Sequence, residues 1–98
     1  MPTYVALITW TDQGVRNYQD TVDRYEAASK LMESLGARFT DIYWTLGEYD
    51  IVSVIDAPDD ATVMASLLAA SSLGNIRTKT LRALGPDEMR EVLSKTAQ

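Results

Sequence analysis

Ile51-Val52-Ser53-Val54-Ile55 is the stretch on which the fold turns. It is dominated by β-branched residues and is too short for a stable helix, so it reads as a strand. Residues one apart on a strand point to opposite faces, which puts Ile51 and Ile55 on one side and Val52 and Val54 on the other. A strand covered on one side alternates apolar with polar. This one does not alternate, so both of its faces call for cover.

Upstream, Arg38 to Thr45 (Arg-Phe-Thr-Asp-Ile-Tyr-Trp-Thr) is again strand-like, and Leu46-Gly47-Glu48-Tyr49 links it tightly to Ile51. Two strands on so short a link form an antiparallel hairpin, with Gly47 supplying a positive φ. Further out, Tyr18, Thr21, Val22, Tyr25, Ala28, Leu31, Met32 and Leu35 recur at three- and four-residue spacing. That periodicity predicts an amphipathic helix over 17–35, with Asn17 as N-cap and Gly36 at its left-handed exit. Thr3 to Trp10 predicts the first strand, and Thr11-Asp12-Gln13-Gly14 a loop.

Downstream, Ala57-Pro58-Asp59-Asp60 opens a second helix striped by Val63, Met64, Leu67, Leu68 and Ala70. Ile76 to Leu84 predicts a fourth strand. Gly85-Pro86-Asp87-Glu88 starts a short helix with Met89, Val92 and Leu93 facing inward, followed by fraying over 95–98. The order β-α-β-β-α-β plus a terminal helix defines an α+β, ferredoxin-like plait: one four-stranded antiparallel sheet with two helices on one face, a single domain over residues 1–98.

Val5-Ala6-Leu7-Ile8 is apolar on both faces, like Ile51 to Ile55. Leaving four or five such side chains wet forfeits roughly 1.5–3 kcal/mol each, a sum that rivals the stability of a small domain. Another copy of the chain, the terminal helix or an apolar ligand would supply the cover, and a homodimer or higher homo-oligomer is the expectation. The alternative is a register that turns the small Ala6 and Ser53 outward.

Composition removes much chemistry. The 98 residues hold no Cys and no His. Disulfides, thiolate nucleophiles, imidazole bases and zinc–thiolate sites are therefore excluded, and no metal or cofactor is expected. Nine Lys and Arg against fourteen Asp and Glu leave a net charge of −5. That opposes binding to nucleic acid or to an anionic membrane. No run of 18 apolar residues and no signal-peptide pattern is present, so a cytoplasmic location is expected.

Leu46-Gly47-Glu48-Tyr49-Asp50-Ile51-Val52, followed by Ala57-Pro58-Asp59-Asp60, resembles the GYD-domain family. Thr11 through Gly14 to Arg16-Asn17, Arg24, Leu35-Gly36 and Gly74-Asn75-Ile76-Arg77-Thr78 fit the same pattern. The resemblance implies membership of the dimeric α/β-barrel superfamily, in which two plaits set their sheets face to face. That superfamily hosts cofactor-free monooxygenases, isomerases, dehydratases, haem proteins and many proteins without known activity, so no catalytic residue is carried over.

Candidate residues each have two readings. Asp50 is a catalytic acid or base at a cavity wall, or a strand-end carboxylate bound to backbone N–H groups. Tyr43, Trp44 and Tyr49 are pocket walls or core and interface filler. Arg16 and Asn17, at the start of the first helix, hold a carboxylate or phosphate, or cap the helix. Thr78 and Thr80 share a face with Arg82, opposite Arg77 and Lys79; they bind a ligand between the sheets, or the strand is a charge-protected edge. Asp59 and Asp60 belong to a first helical turn rather than to a metal site. The leading expectation is a homo-oligomer binding a small, partly apolar molecule in the inter-sheet cavity. The alternatives are a cofactor-free monooxygenase- or isomerase-like enzyme and a structural oligomer without ligand.

Overall fold

Thr3–Trp10 (β1), Arg38–Trp44 (β2), Ile51–Asp56 (β3) and Ile76–Ala83 (β4) form one antiparallel sheet in the order β2-β3-β1-β4. The structure is a computed structural model that describes residues 1–96; the end of the expected frayed tail, Ala97 and Gln98, lies outside the described residues. Helices Asp12–Arg16 (α1), Thr21–Ser34 (α2), Asp60–Ser71 (α3) and Pro86–Ser94 (α4) complete the chain, with a 3-10 turn over Tyr18–Asp20. The ferredoxin-like plait expected from the sequence is the fold observed.

Register decides what is buried. Tyr4, Ala6 and Ile8 of β1 lie under the helices with Ile51, Ser53 and Ile55 of β3, packed against Met32, Ala37, Val63 and Leu67. Ala6 pairs with Ser53 at the centre. These two small side chains therefore face inward and let the helices sit close. The opposite parity, Val5, Leu7, Val52 and Val54, carries the bulk outward and stays half-buried. Leu81 and Tyr43 extend this open face at 53% and 61% exposure.

Three expectations need correction. The segment 11–35 is not a loop followed by one helix. Thr11 caps α1, its hydroxyl accepting from the Gly14 N–H at 3.1 Å, and Asn17 closes α1 rather than opening a helix. The long helix begins only at Thr21. In α3, Asp59 is the N-cap, and Val63 and Leu67 are buried, but Met64 and Leu68 are exposed. In α4, Met89, Val92 and Leu93 do not face inward: they are 44%, 40% and 54% exposed. This helix leaves the edge strand β4 through Leu84 and Gly85, and its apolar stripe meets no core. The turn glycines behave as expected, with Gly36 at φ +87° and Gly47 at φ +98°.

Candidate functional site

The motif residues around Thr11 build a brace between distant chain segments. The Thr11 N–H donates to the Asn75 carbonyl at 3.0 Å, and its hydroxyl donates to the Gly74 carbonyl. The Gln13 Nε2 donates to the Leu73 carbonyl at 2.9 Å and to Asn75 Oδ1 at 3.0 Å. Gly14 is buried against this turn so closely that a Cβ there would lie 2.0 Å from the Asn75 carbonyl oxygen. Arg24, from α2, then donates to the carbonyls of Asn17 at 2.7 Å and Gly14 at 3.3 Å. Thr11, Gly14, Arg24 and Asn75 thus weld the β1–α1 corner to the α3–β4 turn.

Asp50 is committed to the backbone. Its Oδ2 accepts from the Trp10 N–H at 2.8 Å, and its own N–H donates to the Ile8 carbonyl at 2.9 Å. It pins the hairpin end to β1. Beside it, the Tyr49 carbonyl accepts from the Thr45 hydroxyl at 2.5 Å. Trp44 donates its indole N–H to Thr21 Oγ1 at 2.9 Å and stands edge-on to Tyr25, so it joins the sheet to α2.

Arg16 and Asn17 lie at the C-terminal end of α1, not at a helix start. Their side chains donate to the carbonyls of Asp12 and Gln13 at 3.2 and 2.9 Å. Free N–H groups, which an anion needs, sit at the other end of a helix. Thr78 and Thr80 pair with Ile8 and Ala6 and so share the helix side of the sheet; their hydroxyls are 2.9 Å apart. They do not line the open face, where an inter-sheet cavity would form.

The helix side holds two hollows. One, of about 350 Å³, lies between α3 and β4 and is lined by Tyr4, Asp60, Met64, Leu68, Thr80 and Arg82 among others. There the Tyr4 hydroxyl donates to Asp60, and that bond, with burial second, pushes the tyrosine pKa above its usual 10.0. Arg82 lies 5.6 Å from the Tyr4 ring centroid, and three of its N–H groups donate to the Thr3 and Ala83 carbonyls and to Glu88. The other hollow, of about 150 Å³, lies between the sheet, α2 and α3. Ile8, Trp10, Met32, Ile51 and Leu67 form its walls, and Arg24 is its only charged lining residue. The Tyr4–Asp60 contact spans 56 residues and had no local signal in the sequence. Arg24 was visible only as part of the family resemblance. Among the described residues no group of three or more acidic side chains is placed to hold a metal, and no helix is long and apolar enough to cross a membrane.

Fold and surface define a small antiparallel plait with one helix-covered face and one open apolar face. The chain belongs to the GYD domain family, whose model matches residues 4–93. It is 36% identical over 85 residues to the glutamine synthetase and cystathionine beta-lyase binding protein of Thermus thermophilus, a match covering 86% of this chain and 90% of that protein. The crystal structure of TTHA0845 from Thermus thermophilus superposes with a TM-score of 0.56 at 23% identity, covering 87% of this chain and 95% of the other. That likeness concerns the fold.

Proposed function

We propose that the protein is a self-associating, protein-binding protein in which two copies join through their open sheet faces. One observation carries the reading: Val5, Leu7, Val52, Val54, Leu81 and Tyr43 form an outward apolar surface with no helix of the described residues over it. A second copy is the occupant that the charges select. Arg77 and Lys79 stand on the open face of the β4 edge; on that face of the β2 edge Arg38 is paired with Asp56 at 3.9 Å, and Asp41 forms no ion pair among the described residues. A two-fold axis running along the strands sets β4 of one copy over β2 of the other and brings opposite charges together. A two-fold across the strands would set Arg77 and Lys79 over their own copies. Protein binding is supported by the relative whose name states that it binds glutamine synthetase and cystathionine beta-lyase.

Size-exclusion chromatography with light scattering tests the assembly. The expected particle is at least twice the 10.9 kDa chain mass. Lys79→Glu weakens it, and adding Asp41→Lys restores it by exchanging the charges. A parent chain that stays monomeric at high concentration, or an exchange that fails to restore assembly, refutes the arrangement. Titration with purified glutamine synthetase and cystathionine β-lyase from the same cell tests the second half of the reading. Saturable binding to neither enzyme removes the claim carried by the relative's name.

A further inference from the structure

We infer that the hollow between the sheet, α2 and α3 is a binding site for a small apolar carboxylate, with Arg24 receiving the carboxylate group. The inference is independent of self-association, because the hollow lies on the helix side of the sheet. Its volume of about 150 Å³ is that of an apolar cavity able to take a benzene-sized ring. Its walls are mostly apolar side chains of the sheet, α2 and α3, with the polar Thr21, Ser66 and Asn75 at places between them, and the flat rings of Trp10 and Tyr25 stand among them.

Charge selects the ligand class. The chain carries a net charge of −5, yet no Asp or Glu lines this hollow. Arg24 is half-buried. Arg38, Arg82 and Arg90 each pair with a carboxylate; Arg16, Arg24 and Arg77 form no ion pair among the described residues, and of these three Arg24 alone lines the hollow. Its guanidinium bonds are to two neutral carbonyls. Those bonds fix the group in place but leave its charge uncompensated and part of its five-donor fork free. A half-buried cation at the edge of an apolar hollow attracts a monoanion more strongly than an exposed one does. Trp10 lines the same hollow with its ring, and its indole N–H is buried with no hydrogen-bond partner among the described residues. A cation is repelled by Arg24, and a neutral ring gains only the apolar walls.

Phenylacetate, benzoate and the neutral benzyl alcohol are the probes, titrated against the full chain by calorimetry. Quenching of Trp10 fluorescence in a Trp44→Phe background gives a second readout, because the chain has two Trp and Trp44 does not line the hollow. Expected is saturable binding of one or both carboxylates, with benzyl alcohol weaker by about tenfold or more. Arg24→Gln removes that preference and leaves benzyl alcohol unchanged. Arg24 also holds the Gly14 and Asn17 carbonyls, so a second variant, Ala28→Leu, fills the hollow without touching them. It abolishes binding of every probe while unfolding as cooperatively as the parent. Absence of saturable carboxylate binding, equal affinity for benzyl alcohol, or binding that survives Ala28→Leu would each overturn the assignment.

Discussion

Gly14→Ala is the sharpest test of the brace at the β1–α1 corner. The added Cβ would lie 2.0 Å from the Asn75 carbonyl oxygen and 2.9 Å from its carbonyl carbon. Both obstacles are backbone, so no side chain can swing aside. Relief requires the 73–75 turn to retreat by about 1 Å, which breaks the Thr11 N–H bond to Asn75 and stretches both bonds from Gln13. Overpacking of this kind costs about 1–3 kcal/mol, and each broken hydrogen bond adds about 0.5–1.5 kcal/mol. A loss of about 3 kcal/mol lowers the Tm of a domain this size by roughly 12–24 °C. Thermal unfolding followed by circular dichroism, at one fixed protein concentration, reads the effect. Gly85→Ser is the control: a Cβ there meets nothing within 4 Å, and Ser is a good N-cap for α4. A Gly14→Ala protein that melts within about 3 °C of the parent refutes the packing argument.

Two further outcomes concern pH. The Thr62 hydroxyl, and after it the Thr62 N–H, hold the Asp59 carboxyl below its usual 3.8. A depressed carboxyl contributes stability above its unfolded pKa and loses it as pH falls through the folded value. Asp59→Ala should therefore be less stable than the parent at neutral pH, and denaturant titrations should show the gap closing in strong acid. Tyr4 runs the other way: its pKa is raised, so its contribution is complete below pH 10.0 and disappears as pH rises through the higher folded value. Tyr4→Phe should be destabilised near neutrality, converge on the parent in strong alkali, and lack the latest-ionising component of the tyrosine absorbance titration. A gap that stays constant with pH would refute either account.

The plait was legible because its signals are local. Alternation versus 3.6-residue periodicity separates Ile51–Ile55 from the helix that holds Tyr25, Ala28 and Met32, and Gly36 and Gly47 mark the turns between. Misreadings arose where a local signal had two physical meanings. Thr11-Asp12-Gln13-Gly14 has turn composition, but a Thr hydroxyl three residues before the Gly14 N–H is equally an N-cap, and the docked 73–75 turn decides for the helix. The pattern of α4 shows which face is apolar, not what that face meets. Period-two counting put Thr78 and Thr80 together; only their pairing with Ile8 and Ala6 says that the shared side is the helix side. Asp50 remained two-valued in sequence because its partner, the Trp10 N–H, is 40 residues away.

The same sheet keeps the two proposed binding events apart. Ile8 and Ile51 line the hollow above it, while their chain neighbours Leu7 and Val52 belong to the open face below. Alternation along a strand makes this separation unavoidable: no side chain of β1 or β3 serves both faces. Lys79, on the open side, touches neither Arg24 nor the walls of the hollow. Lys79→Glu should therefore weaken assembly while phenylacetate affinity stays at the parent value. Should the monomer lose phenylacetate binding, the hollow must take a wall from the second copy, and the picture of two independent faces fails.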